Sequence, residues 1–126
     1  MSDYRVLLVD DEEEFASTLV ERLAYRGFVA QYTTNGRDAL RLLREQTFDT
    51  VVIDLKLPGM SGTELIHTIA TAYPNLPVLM VTGHGSGELE AGKKPAGVTD
   101  FLLKPIDIEE LCLKMKKAIE DNEYRG

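Results

Sequence analysis

The chain has 126 residues, the size of one compact domain, and 44% of them are hydrophobic, which is enough to form a core. The formal net charge of −7 argues against nucleic-acid binding by this domain alone, but it is compatible with a cation site or a basic protein partner. No apolar run approaches the roughly 20 residues of a membrane span, and no signal peptide is visible. The single cysteine, Cys112, excludes a disulfide within the chain. We therefore expect one cytoplasmic domain over residues 1–126 with no membrane contact.

The first half of the chain alternates apolar runs with helical patterns. A buried strand is predicted at Arg5–Val9, followed by a helix at Glu12–Arg26, where large apolar residues recur every four positions until Gly27 ends the pattern. The run Val29–Thr33 predicts a short, less apolar strand, and Asn35 is a suitable N-cap for the second helix. The acids that open the first helix, Glu12 among them, are interpreted as solvated helix-start residues.

The second half continues the alternation. Ser61 and Glu64 have the spacing of a capping box at the start of the third helix, and Asp107 is predicted to cap the last helix. Three further apolar runs predict strands: Val51–Asp54, Val78–Thr82 and Asp100–Leu103.

The segment between the fourth and fifth predicted strands is poor in helix-forming residues. A helix over Ser86–Pro95 would contain Gly87, Gly92 and Pro95, which together would cost about 5 kcal/mol relative to alanine, at ~1 kcal/mol per glycine and ~3 kcal/mol for proline. We therefore expect the fourth helix, between these two strands, to be short, irregular or mobile.

These patterns predict an α/β fold. Four of the strands are apolar without polar alternation, as a parallel sheet covered on both faces requires, whereas Val29–Thr33 suits an edge. Right-handed crossovers then give a doubly wound, five-stranded parallel sheet with helices on both faces.

Charged and polar residues follow the predicted strands at the edge where ligands bind in such sheets. The first strand is followed by Asp10 and Asp11, the third ends in Asp54, the fourth in Thr82, and the fifth is followed by Lys104. Adjacent carboxylates repel one another unless a cation offsets them. Because the candidate ligand atoms are all carboxylate oxygens, Mg²⁺ fits this site best and Mn²⁺ is possible. Lys104 would offset the negative charge that the divalent ion leaves.

The same residues carry a family resemblance. The ordered set of Asp10–Asp11, Asp54, Thr82 and Lys104–Pro105, with DLKLPGMSG running from the central aspartate, resembles the receiver domain of bacterial two-component response regulators over nearly the whole chain. The resemblance implies a flavodoxin-like sheet with strand order 2-1-3-4-5, and it implies that Asp54 accepts a phosphoryl group.

The resemblance also implies a metal site and a set of roles for the residues around it. Mg²⁺ would be held by Asp10, Asp11, Asp54 and the backbone carbonyl of Lys56, with Asp10 acting directly or through water. Lys104 would pair with the phosphoryl oxygens.

Other matched positions carry expected switching and rate-tuning roles. Thr82 would hydrogen-bond the attached phosphoryl group, and Phe101 matches the aromatic residue that swings inward when that happens. Lys56 and His84, each two residues after a site residue, match positions that tune the lifetime of the phosphoryl group. The Lys104–Pro105 bond is expected to be cis.

The predicted function is a phosphoacceptor signalling switch, not an enzyme beyond its own phosphorylation and dephosphorylation. A sensor histidine kinase or a histidine phosphotransfer protein would donate the phosphoryl group, and the response would control an unidentified downstream effector.

Three alternatives stay open at this point. The first is a phosphorylation-independent docking module with a receiver fold. The second is a Mg²⁺-dependent phosphatase with an aspartate nucleophile, although such enzymes usually have a second aspartate where Lys56 lies. The third is a flavin-binding electron carrier, although the acidic loop after the first strand would repel a phosphate.

Overall fold

The computed structural model describes residues 3–83 and 96–125. Five strands and four helices lie in these two stretches, and the chain passes through them in alternation except where β5 follows β4. Their bounds are β1 Arg5–Val9, α1 Glu13–Tyr25, β2 Val29–Thr33, α2 Gly36–Glu45, β3 Thr50–Asp54, α3 Gly62–Ala72, β4 Val78–Thr82, β5 Asp100–Leu103 and α4 Ile108–Arg125.

The strands form one parallel sheet in the order β2-β1-β3-β4-β5, so the predicted fold class and strand order are confirmed. The register brings the strand ends together: Val9 lies opposite both Thr33 and Ile53, and Thr82 lies opposite Leu103. Residues that follow β1, β3 and β5 therefore meet at one edge of the sheet.

Side chains of successive strand residues enter different cores because a strand alternates its faces. Leu8 packs with residues of α1 and α4, whereas Leu7 packs with residues of α2 and α3. Both leucines are almost fully buried. This two-sided burial explains why the central strands are apolar throughout.

The helix starts follow the predicted capping residues, with a one-residue correction at α1. The side chain of Asn35 accepts a hydrogen bond from the backbone of Asp38, and the hydroxyl of Ser61 accepts one from the backbone of Glu64. The first helix begins at Glu13, not Glu12, because Glu12 has an extended backbone and donates its N–H to Asp10.

The loop between β3 and α3 is packed tightly under Asp54. The N–H of Gly62 donates to the carbonyl of Leu55 at 3.0 Å, and a Cβ at position 62 would lie 2.5 Å from the Leu55 Cα. Only glycine fits this approach, so Gly62 fixes the path of the chain directly after the site.

The predicted fourth helix falls within residues 84–95, which lie outside the described residues, and that prediction stays untested. Among the helices that are described, none combines the length and the apolar character that crossing a membrane requires.

Candidate functional site

Three carboxylates converge at the end of the two central strands. Asp10 and Asp11 directly follow β1, and Asp54 is the last residue of the adjacent β3. One oxygen from each of the three lies within 4.8 Å of the others. Asp10 and Asp54 are buried and Asp11 is exposed, so the cluster opens to solvent on one side.

Asp54 is 5% exposed, and both of its carboxylate oxygens accept hydrogen bonds. Its Oδ1 accepts a hydrogen bond from the backbone N–H of Lys56 at 3.0 Å, and its Oδ2 accepts one from the Lys104 ammonium at 2.8 Å. These two bonds orient the carboxylate.

Among the described residues, Lys104 is the cation that contacts this cluster. Besides Asp54, its Nζ lies 3.5 Å from Glu12 Oε1 and 4.0 Å from Asp10 Oδ2. Burial alone would lower the pKa of this ammonium, but the hydrogen bond to Asp54 and the charges of the three carboxylates outweigh burial and raise the pKa. Lys104 is therefore charged at neutral pH.

The surroundings of Asp10 are unfavourable for an ionised carboxylate. Burial raises its pKa, and the negative charge of Asp54 raises it further, while the hydrogen bond from the Glu12 backbone and the nearby Lys104 oppose the increase. The one ammonium that the described part of the chain brings to the cluster does not offset the charge of three carboxylates. A donor set made only of oxygens is the kind that a hard divalent cation prefers. The cluster could bind a metal ion, with its open side at Asp11.

Thr82 and Lys104 are joined at the same edge. The Lys104 N–H donates to the Thr82 carbonyl at 2.8 Å, which fixes the end of β5 beside the end of β4. The Thr82 side chain is buried, and its hydroxyl donates to the Gly83 carbonyl at 3.4 Å, a long bond that is easily exchanged for a better acceptor. The Lys104–Pro105 bond is cis, as expected.

Comparison with known proteins decides the family. The model of the response regulator receiver domain matches residues 6–116. This chain belongs to the response regulator receiver family. The family consists of signalling switches of two-component systems, not of classical enzymes.

Curated relatives of this receiver are longer proteins. An NtrX-like response regulator of Rickettsia felis is 32% identical over 122 residues, which are 95% of this chain and 26% of that protein. The transcriptional regulatory protein TcrX of Mycobacterium tuberculosis is 36% identical over 114 residues, 90% of this chain and 49% of that protein. The chain thus spans between about a quarter and a half of these relatives.

Solved receiver structures have the same fold. A CheY-like response regulator receiver domain protein of Methanospirillum hungatei superposes with a TM-score of 0.90 at 28% identity, covering 99% of this chain and 100% of that one. NtrX of Brucella abortus superposes with a TM-score of 0.89 at 27% identity, covering 98% of this chain and 29% of that one.

Of the remaining predicted residues, Phe101 and Lys56 lie in the described part of the chain. Phe101 lies on β5, is half-buried and packs against the core on the α2–α3 side. The side chain of Lys56 is exposed, while its backbone N–H holds Asp54. His84 lies outside the described residues.

Two residues that contact Lys104 were not singled out from the sequence. Glu12 was interpreted as a surface acid and is exposed, and its carboxylate also lies within ion-pair distance of Lys104. The ring of Phe15 lies 5.9 Å from the same ammonium. Glu12 directly precedes α1 and Phe15 lies in its first turn. Their closeness to Asp10 in the chain was the only signal in the sequence that could have indicated them.

Proposed function

We propose that this receiver accepts a phosphoryl group on Asp54 in a metal-dependent reaction. The observation that carries the proposal is the 2.8 Å contact between the Asp54 carboxylate and the Lys104 ammonium within a cluster of three carboxylates. A carboxylate oriented by two hydrogen bonds beside a fixed cation has the arrangement that phosphoryl transfer needs.

The donor is a phosphohistidine. An oxygen of Asp54 forms a bond to phosphorus while the bond from phosphorus to the imidazole nitrogen breaks, and its electron pair stays on the imidazole, which then takes up a proton. The product is an aspartyl phosphate. Because the transition state is loose and anionic, Lys104 contributes by placing positive charge beside the oxygens of the group in transit.

Asp10, Asp11, Asp54 and the backbone carbonyl of Lys56 are proposed to hold Mg²⁺ or Mn²⁺. When bound, the ion offsets the charge of the carboxylates and of the incoming phosphoryl oxygens. The donor set of three clustered carboxylates supports a hard cation of this kind.

The switch acts through Thr82, Lys104 and Phe101. The attached phosphoryl group offers better acceptors to the Thr82 hydroxyl than the Gly83 carbonyl, whose oxygen is 3.4 Å away. Movement of Thr82 opens space at the end of β4, and Phe101 on the adjacent strand turns toward it. The surface around β4 and β5 changes, and an output partner detects the change. Lys56 and His84 are proposed to tune the lifetime of the phosphoryl group.

The proposed partners are a sensor histidine kinase or a histidine phosphotransfer protein upstream and an effector downstream. Some relatives are named transcriptional regulatory proteins, and this chain matches only part of their length. An output of that kind would belong to a region beyond the receiver fold.

The test is incubation of the protein with a small acyl phosphate, with and without Mg²⁺, followed by intact-mass measurement. We expect a gain of one phosphoryl group that needs the metal, that is lost in Asp54→Asn and that persists in the control Asp121→Asn, which alters an exposed carboxylate on α4. Labelling that persists in Asp54→Asn would place the nucleophile elsewhere. No labelling of the wild type would favour the phosphorylation-independent docking module.

A further inference from the structure

Lys114 of α4 contacts the proposed switch aromatic twice. Its ammonium donates to the carbonyl oxygen of Phe101 at 2.7 Å and lies 5.3 Å from the centroid of the Phe101 ring. The same nitrogen is 3.4 Å from Glu110 Oε2 and 3.7 Å from Asp100 Oδ1. One cation thus contacts the backbone and the ring of Phe101 and two neighbouring carboxylates.

The hydrogen bond from Lys114 to Phe101 matters because of where β5 lies in the sheet. β5 is an outer strand of the sheet, with β4 as its neighbour. An outer strand presents backbone groups that no strand partner can satisfy. Lys114 supplies a donor to one of them, and its three N–H groups match the three oxygens around it. The side chain is 27% exposed, so it is held more firmly than a solvated surface lysine.

Lys114 also links the two sides of the sheet. Its helix, α4, packs through Leu111 and Met115 into the core that α1 shares. The ring of Phe101 packs against the core on the α2–α3 side. The ammonium lies between them at the outer edge of β5, where it fastens the strand to the helix.

We propose that Lys114 is a positioning residue that holds Phe101 in the arrangement seen here and couples switching at Asp54 to α4. The proposal rests on the proposed function, because Phe101 switches only if a phosphoryl group on Asp54 moves its surroundings. An inward turn of the ring removes it from the ammonium, so the contact between the Lys114 ammonium and the ring favours the unphosphorylated arrangement. A residue that stabilises one of two states opposes every step that needs the other state, and loss of Lys114 therefore favours phosphorylation.

The experiment uses a reporter placed at the switch position. The sequence contains no tryptophan, so Phe101→Trp introduces a single indole whose accessibility is measured by acrylamide quenching. Lys114→Met is compared with Lys117→Met in this background. Lys117 is an exposed lysine on the same helix, so its loss removes the same charge without the contact to Phe101. The same lysine variants with the native Phe101 are labelled with a small acyl phosphate and Mg²⁺.

We expect Lys114→Met to change the quenching constant by about twofold or more and to speed labelling about fivefold, the lower range of measured couplings. Lys117→Met should change neither, and Lys114→Arg, which keeps the cation, should restore both. Equal effects of the two methionine variants, or no effect of Lys114→Met, would overturn the proposal. Lys114→Gln serves as the second variant if Lys114→Met does not fold.

The two proposals fail in different ways. If the wild type takes up no phosphoryl group, the proposed function fails. The quenching comparison without a donor still decides whether Lys114 positions the side chain at residue 101.

Discussion

Asp10 and Asp54 lie beside the same ammonium in unequal surroundings. Asp54 receives the close contact from Lys104 at 2.8 Å, whereas Asp10 is 4.0 Å away from it. Burial and the charge of Asp54 raise the pKa of Asp10. Folding therefore disfavours the ionised form of Asp10.

Asp10→Asn is expected to stabilise the protein in metal-free buffer at neutral pH. The amide keeps an oxygen for the Glu12 N–H and removes the unfavourable charge, so we expect the midpoint of thermal unfolding to rise by roughly 2–5 °C, about 1 kcal/mol for a domain of this size. Circular dichroism in the presence of a chelator measures this change, with Asp121→Asn as the control.

The sign of the pH dependence follows from the same raised pKa. A group that binds protons more tightly in the folded state destabilises it above its folded pKa, and this cost disappears as the pH falls through that pKa. The gain of Asp10→Asn over the wild type should therefore shrink as the pH is lowered. A variant less stable than the wild type at neutral pH would show that Asp10 is not under electrostatic strain.

Lys104→Met should affect metal binding and phosphorylation in opposite directions. Without the ammonium the carboxylates attract a divalent cation more strongly, so we expect tighter Mg²⁺ binding by titration calorimetry. Phosphoryl incorporation should be slower by about 100-fold, because the cation beside the transferring group is lost. Lys117→Met is the control for charge alone, and equal labelling rates in the two variants would contradict the role of Lys104.

At the level of the elements, the site depends on how α3 approaches the end of β3. The first residue of α3, Gly62, lies against the backbone of Asp54 and Leu55, and a Cβ there would be 2.7 Å from the Asp54 carbonyl oxygen. The helix start and the orientation of Asp54 are therefore set together.

Gly62→Ala is expected to destabilise the protein by about 2 kcal/mol, because backbone atoms rather than a flexible side chain occupy the space that the methyl group needs. Urea unfolding measures the loss, and Thr63→Ala, at an exposed position one residue later, is the matched control. A loss no larger than that of Thr63→Ala would mean that the loop adjusts without cost.

Local patterns were sufficient to predict the elements in the described part of the chain, but they could not predict contacts between distant residues. The apolar runs located the strands, Asn35 and Ser61 located two helix starts, and the strand ends located the carboxylate cluster. The ion pair of Lys104 with Glu12 joins residues 92 positions apart, and the contacts of Lys114 depend on how α4 crosses the edge strand. Such pairs leave no periodic pattern in the sequence, because the residues meet only when the sheet has formed.

For the whole molecule, burial is greatest at the centre of the sheet. The strands β3 and β4 are buried at every residue and β1 at four of five, whereas the outer strands β2 and β5 are partly exposed. The site lies where the most protected strands end, and the proposed switch aromatic lies on an outer strand. The proposed phosphoryl acceptor thus lies at the end of the best-buried strands, and the proposed switch residue lies on a strand that is expected to open more easily.

Amide hydrogen exchange followed by mass spectrometry should resolve this gradient. We expect exchange in β1, β3 and β4 to be slower than in β2 and β5 by about tenfold or more, because the outer strands can open without global unfolding. Uniform exchange across all five strands would indicate that the sheet opens only as a single unit.

The most direct test of the proposal that Asp54 accepts the phosphoryl group is to identify the residue that carries this group. The protein is treated with a small acyl phosphate and Mg²⁺, reduced with borohydride, which converts an aspartyl phosphate to homoserine, and sequenced by tandem mass spectrometry. We predict homoserine at position 54 in the metal-treated sample and none when the metal is chelated. Homoserine at position 10 or 11, or at no position, would contradict the assignment of Asp54 as the phosphoryl acceptor.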